Sequence, residues 1–235
     1  MTRAKVALTL ILLGTTGLTS GCYLFQTSET FYGLKTSGQK VVFVVDISGS
    51  MEGKNEGTIQ DRVTGMAVQA SGNAIGNAIG GSVGSFVGQQ TTSEVTKLGG
   101  AKRELIPAIQ GLPDTSSFSI ITFGNEVKPW LMGMTGADGK SRNIAAAFVK
   151  DLEANGGTPA RRALEEAFKY PDATLIFFVS DGQPTDSSAA DILGRVRELN
   201  AQRHVVVSTV GLGGDQDEKF LTQLAAENGG HYVKK

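Results

Sequence analysis

Cysteine, histidine and tryptophan are scarce in this chain, at one, two and one among 235 residues. A single cysteine excludes an intrachain disulfide and any thiolate-rich zinc centre. The two histidines, His204 and His231, each head an apolar strand-like run, where an imidazole is ordinarily packed or partly exposed. The N-terminal apolar core, Val6 to Leu13, is far shorter than the roughly 20 residues of a membrane-spanning helix. Charge of one sign is also lacking: 22 basic and 23 acidic residues leave a net −1, and no basic stretch is interleaved with aromatics. Nucleic acid is therefore not expected as a partner. What is plentiful is apolar content, 40% of the chain, which suits one well-packed domain of ordinary size.

The first residues differ in kind from the rest. Arg3 and Lys5 precede a short apolar core, Val6 to Leu13, followed by small and polar residues up to Gly21-Cys22. This pattern suits an export signal. "LTSGC" resembles the lipobox of bacterial lipoproteins, although Thr19 stands where leucine is usual and Leu18 lies one residue early. The resemblance implies a signal peptide over 1–21, cleavage before Cys22 and lipid on Cys22. The mature chain is then exported and lipid-anchored to the cell envelope, at the outer membrane if the organism has two, because Tyr23 rather than aspartate follows the cysteine. Residues 22–38 show no clean period and read as a tether.

Beyond residue 38, apolar runs alternate with amphipathic ones. Val41–Val45, Phe118–Phe123, Thr174–Val179 and Val205–Val210 read as buried parallel strands, with a weaker strand near Val127–Met132 and a closing "HYVKK". Helical patterns cover Val95–Gln110, Ile144–Glu153, Arg161–Phe168, Ala189–Ala201 and Glu218–Glu227. The alternation predicts an α/β fold: a doubly wound, mostly parallel sheet with helices on both faces, spanning 39–235. Ligands of such sheets bind beyond the carboxyl ends of the strands, where strand order reverses.

Two of the predicted strands end in aspartate. "VVFVVDISGSM" places Asp46 at the end of the first, with Ser48 and Ser50 following at alternate positions, and "TLIFFVSDGQPTD" places Asp181 at the end of another. "NGGTPA" sets Thr158 in a glycine-led loop before a helix. Two carboxylates and three hydroxyls, all hard oxygen donors, suit magnesium, manganese or calcium rather than zinc. "DISGSM", "GGTPA" and "SDGQPTD" together resemble the von Willebrand factor A domain with an intact metal-ion-dependent adhesion site. The resemblance implies that Ser48, Ser50 and Thr158 offer hydroxyls to the metal, that Asp46 and Asp181 act directly or through water, and that a partner protein supplies an aspartate or glutamate carboxylate. It points to a binding module rather than an enzyme. The alternative from another class is metal-assisted phosphoryl transfer or hydrolysis using Asp46 and Asp181, against which stands the absence of a base, lysine or histidine beside them in the sequence.

Other motif matches fail on context. "GGSVG" around Ser82 has no strand before it, as a hydrolase elbow requires. "GMTGADGKS" has Met134 where a phosphate-binding loop needs glycine, and "GLGG" at Gly211 reads as a turn at the site rim. One insertion remains. In the family the first helix follows the D-x-S-x-S turn closely, whereas here residues 54–94 intervene. Gly72, Gly76, Gly80, Gly84 and Gly88 recur within it at a period of four, with no charge from Thr64 to Ser93. On a helix this makes a bare stripe like the glycine zippers of envelope proteins, suited to self-association at a membrane. A flexible loop is the other reading. The stripe also motivates a third function class, an oligomeric structural envelope protein.

Overall fold

The computed structural model describes residues 30–36, 39–53 and 96–235. The signal segment, Cys22 and the glycine stripe lie outside the described residues. In chain order the elements are β1 (Thr30–Phe31), β2 (Leu34–Lys35), β3 (Lys40–Asp46), a 3-10 turn (Gly49–Glu52), α1 (Lys97–Gln110), β4 (Ser117–Phe123), β5 (Val127–Pro129), β6 (Thr135–Gly136), α2 (Gly139–Lys150), α3 (Ala160–Ala167), β7 (Leu175–Ser180), α4 (Ala189–Asn200), β8 (Val206–Gly211), α5 (Glu218–Glu227) and β9 (Gly229–Lys234).

The main sheet runs β5-β4-β3-β7-β8-β9, with β6 also on β4. β4, β3, β7, β8 and β9 are parallel, while β5 and β6 return antiparallel along β4. The doubly wound sheet expected from the apolar runs is the one observed. Because successive side chains on a strand point to opposite faces, an unbroken apolar strand feeds two cores at once. Val41, Phe43 and Val45 join one cluster with Phe118, Phe177 and Leu105, while Val42 and Val44 join the other with Phe178, Leu164 and Leu224.

Local chemistry sets the helix ends. The side chains of Thr96, Asp138, Ser188 and Asp217 each accept a backbone N–H in the first turn of α1, α2, α4 and α5. The Asp138 cap starts α2 at Gly139, earlier than the Ile144 expected. At its other end Lys102 Nζ, reaching across from α1, donates to the carbonyls of Lys150 and Leu152, and the helix stops at Lys150. The strand expected over Val127–Met132 ends at Pro129, and Met132 is fully exposed before β6 rejoins the edge of β4.

The tether expected over 22–38 is corrected at its C-terminal part. Residues 30–35 form a hairpin whose turn residues, Tyr32 and Gly33, both take positive φ, as a two-residue hairpin connection requires. No alternation of apolar and polar residues reveals it, because each strand has only two residues. Its anchor is aromatic: the Phe31 ring lies 5.3 Å from Phe43 and 5.1 Å from Phe177, edge-on to both. Tyr32 is buried beside α1, under Lys235, whose ammonium lies 5.8 Å from the ring.

The insertion leaves and re-enters the fold at one place, since Gly53 O accepts from Lys97 N at 2.9 Å. Replacing residues 54–95 with a short glycine-serine link is therefore expected to leave a cooperatively folded domain. Thermal unfolding checks this. Phe31→Ala, by contrast, empties a fully buried aromatic site and should cost about 3–5 kcal/mol in chemical denaturation.

Candidate functional site

The chain winds outward from β3 in one direction through β4 and in the other through β7, so strand order reverses between β3 and β7. Parallel register pairs Val45 with Val179, which brings the ends of both strands level. Asp46 closes β3 and Asp181 follows β7, and the two carboxylates flank the crevice, neither with any exposed surface.

The β3 exit is folded by its own aspartate. Asp46 Oδ1 accepts the Ser48 N–H at 2.7 Å, and Asp46 Oδ2 accepts the Ser180 hydroxyl at 2.6 Å. Met51, wholly buried, pins the following 3-10 turn into the core. The hydroxyls then form a chain: Ser48 Oγ lies 3.0 Å from Ser50 Oγ, and Ser50 Oγ donates to Asp181 Oδ1 at 2.8 Å. A Cβ added to Gly182 would stand 3.8 Å from Ser50 Oγ and 3.9 Å from Thr158 Oγ1, so Thr158 faces the same space. All five residues named from the sequence meet at this one edge. Ser50 is exposed where the other four are buried, and the site opens to solvent there.

The Thr158 loop is locked to its neighbours by backbone. Gly156 O accepts from Gly49 N at 2.9 Å, and Ile47 O accepts from Asn155 N at 2.6 Å. Gly156 takes φ +75°, and a side chain there would meet Asn125 N at 2.3 Å, so only glycine fits. On the other side Thr158 and Thr185 exchange two bonds, Thr158 N to Thr185 Oγ1 and Thr185 N to Thr158 O. Asp186 caps α3, taking the Arg161 and Arg162 N–H groups on its two oxygens at 3.1 Å each. Ser180, Thr185 and Asp186 are thus site-building residues that the sequence reading left without a role.

The larger omission is Lys97. Its ammonium donates to Asp181 Oδ2 at 2.8 Å and to Asp215 Oδ1 at 2.6 Å, with the side chain only 6% exposed. The expectation that no lysine accompanies the acids is therefore corrected. The insertion hid it, by separating Lys97 from the aspartate motif in sequence. One signal was available: Lys97 stands in phase with Ala101, Leu105 and Ala108 on the buried face of α1, an unusual place for lysine. "GLGG" at Gly211–Gly214 is the rim turn expected, and it carries Asp215 to the site.

Burial pushes the Asp46 carboxyl up to about 6 against its hydrogen bonds from Ser180 and Ser48, and the Asp181 charge adds to the rise. Burial works against the Lys97 charge, but the bonds to Asp181 and Asp215 outweigh it and hold the ammonium above its usual range. The same bond from Lys97 holds Asp215 below the usual carboxylate range. The phosphate-loop reading of "GMTGADGKS" fails on geometry too: the start of α2 is filled by Asp138, bonded to both Ser141 N and Ser141 Oγ.

An open, mostly parallel sheet with helices on both faces defines a class, the doubly wound α/β domains. Within it, the sequence profile described as the von Willebrand factor type A domain matches residues 92–234, and the chain belongs to that family. Human inter-alpha-trypsin inhibitor heavy chain H4 is 26% identical over 212 residues, 84% of this chain and 18% of that protein. Human von Willebrand factor A domain-containing protein 3A is 30% identical over 118 residues, 49% of this chain and 10% of that one. The chain thus spans under a fifth of either relative. Among solved structures, a von Willebrand factor type A protein from Catenulispora acidiphila aligns with TM-score 0.59 and 22% identity over 83% of this chain and 38% of that one. BatB from Bacteroides thetaiotaomicron aligns with TM-score 0.54 and 15% identity over 83% and 89%. These two share the fold.

A carboxyl whose folded pKa exceeds its unfolded value of 3.8 stabilises the fold only where it is protonated; for Asp46 that contribution is full below about 4 and lost as pH rises through about 6. Asp46→Asn mimics the protonated form, and the Ser180 hydroxyl can turn to accept from the new amide. In chelator at pH 7.5 the variant should be more stable than wild type by up to about 3 kcal/mol. At pH 4.5 the gap should narrow to about 1 kcal/mol, as read by denaturant titration at both values.

Proposed function

We propose that this domain is a binding module, not an enzyme, which holds a divalent cation between β3 and β7 and through it captures a carboxylate from a partner protein. The observation that carries the reading is the meeting of Asp46, Ser48, Ser50, Thr158 and Asp181 at one solvent-reached edge. The donor set fits the ion. Oxygens around magnesium at 2.0–2.1 Å stand about 3 Å apart in an octahedron, and the Ser48–Ser50 and Ser50–Asp181 separations are 3.0 and 2.8 Å. Magnesium is the expected ion, with manganese or calcium as substitutes. Domains of this family are commonly protein-interaction modules.

In this reading Ser48, Ser50 and Thr158 provide neutral oxygens, while Asp46 and Asp181 supply charge directly or through water. Hydroxyl donors neutralise little, so a bound cation stays attractive to an incoming Asp or Glu side chain. The rim suits approach by an acid: Gly49, Asn155, Gly156, Gly157 and Gln183 are exposed and uncharged. Among the described residues the metal-assisted enzyme alternative finds no free lysine or histidine at the site, since Lys97 is held between two carboxylates and both histidines stand on other parts of the surface. Around this module we place export, lipidation at Cys22 and attachment to the bacterial envelope. Self-association through Gly72, Gly76, Gly80, Gly84 and Gly88 belongs to the same proposal.

Protein stripped with chelator should bind magnesium or manganese at one site by calorimetry. Asp181→Ala or Ser50→Ala should weaken that binding at least tenfold without changing the circular dichroism spectrum. No binding to wild type at millimolar metal, or equal binding by both variants, would overturn the reading. Metal-dependent turnover of phosphate esters, lost in Asp46→Ala, would favour the enzyme.

A further inference from the structure

The position of Lys97 runs against local helix physics. It is the first residue of α1, where the helix dipole is positive and a cation is unfavourable. Its aliphatic stem passes over bare backbone: a Cβ on Gly213 would stand 2.6 Å from Lys97 Cε, and one on Gly53 would stand 3.6 Å from it. Gly213 holds φ +80°, which a side chain rarely adopts, so the passage is built at both walls from glycine. At its end the ammonium bridges a buried carboxylate, Asp181, and one that is 67% exposed, Asp215. A local cost this specific, with partners on two other loops, marks a functional placement rather than helix stabilisation.

We propose that Lys97 is the resident cation of the site: it keeps Asp181 charged and in place when no metal is bound, and yields Asp181 to an entering metal by shifting its weight onto Asp215. The inference rests on the metal reading for its second half only. Without a metal, Asp46 and Asp181 are two buried carboxylates, and the Lys97 ammonium is the only cation among the described residues bonded to either. Since Lys97 occupies Asp181 Oδ2, it competes with any second cation for the same carboxylate. Asp215 offers the displaced ammonium an acceptor already at 2.6 Å, so the lysine need not leave when a metal arrives. Lys97 is thus a positioning residue that sets both metal-free stability and metal affinity.

Two variants read this in opposite directions. Lys97→Met keeps the length of the stem, the helix start and the backbone bond to Gly53. In chelator it should lower the unfolding midpoint, and the loss should vanish when Asp181 is also changed to Asn. With manganese or magnesium it should bind at least tenfold more tightly than wild type. Asp215→Asn leaves the ammonium on Asp181 alone and should bind metal more weakly, by threefold or more. Calorimetry of both variants and wild type measures these shifts, and the double-mutant comparison in chelator needs no metal at all. A metal affinity that falls in Lys97→Met, or moves the same way in both variants, would overturn the competition. A Lys97→Met loss undiminished in the Asp181→Asn background would reduce the lysine to a packing role. If wild type binds no metal, the second half falls together with the proposed function, while the chelator arm still decides the first.

Discussion

Two carboxylates that cannot reach water stand at the ends of adjacent parallel strands, and the surrounding architecture is organised by what that burial demands. A buried charge is tolerated only when hydrogen bonds or an opposite charge surround it. Asp46 is met by the Ser48 N–H and the Ser180 hydroxyl, and Asp181 by the Ser50 hydroxyl and the Lys97 ammonium. These donors come from four places in the fold: Ser48 and Ser50 from the exit of β3, Ser180 from the end of β7 and Lys97 from the start of α1. The tight exit of β3, the 3-10 turn pinned by Met51 and the start of α1 capped by Thr96 each bring a donor to the acids.

The same demand joins loops that are distant in sequence. Thr158 and Thr185 tie the loop before α3 to the loop after β7, and Asp186 caps α3 from outside its own segment. Lys97 and Asp215 bring in the turn after β8. The crevice is made by four separate loops, each braced by the next through these bonds.

Much of this was legible in the residues. The apolar runs at Val41–Val45 and Thr174–Val179 gave their strands to within a residue, because strands buried on both faces have no polar positions to blur them. Asp46 and Asp181 announced themselves as charges placed where such runs stop. The hairpin at Thr30–Lys35 was not legible, since two-residue strands carry no period and its reason for being is the tertiary contact of Phe31 with Phe43 and Phe177. Lys97 was hidden for a different cause. Its partner motif lies beyond the insertion in sequence but beside it in space, and only the bond from Lys97 N to Gly53 O restores the adjacency. Ser180 and Asp186 carry no pattern of their own in the sequence, and their roles depend on which strand ends and loops face each other.

The central position of β3 also has a mechanical meaning. Its amino end connects through a short link to the hairpin, and its carboxyl end carries Asp46. A pull between the N-terminal side of the chain and something held at the site would run along the axis of this one strand. The strand is paired with parallel neighbours on both sides, β4 and β7. The part of such a load borne by Asp181, beyond the end of β7, shears the β3–β7 ladder along its length, straining its evenly spaced bonds at the same time instead of opening them one after another. Strands at the margin, such as β5 or β9, would peel. The point of entry and the crevice thus lie at opposite ends of one central strand, so a load between them is carried by the core of the sheet and not by its margins.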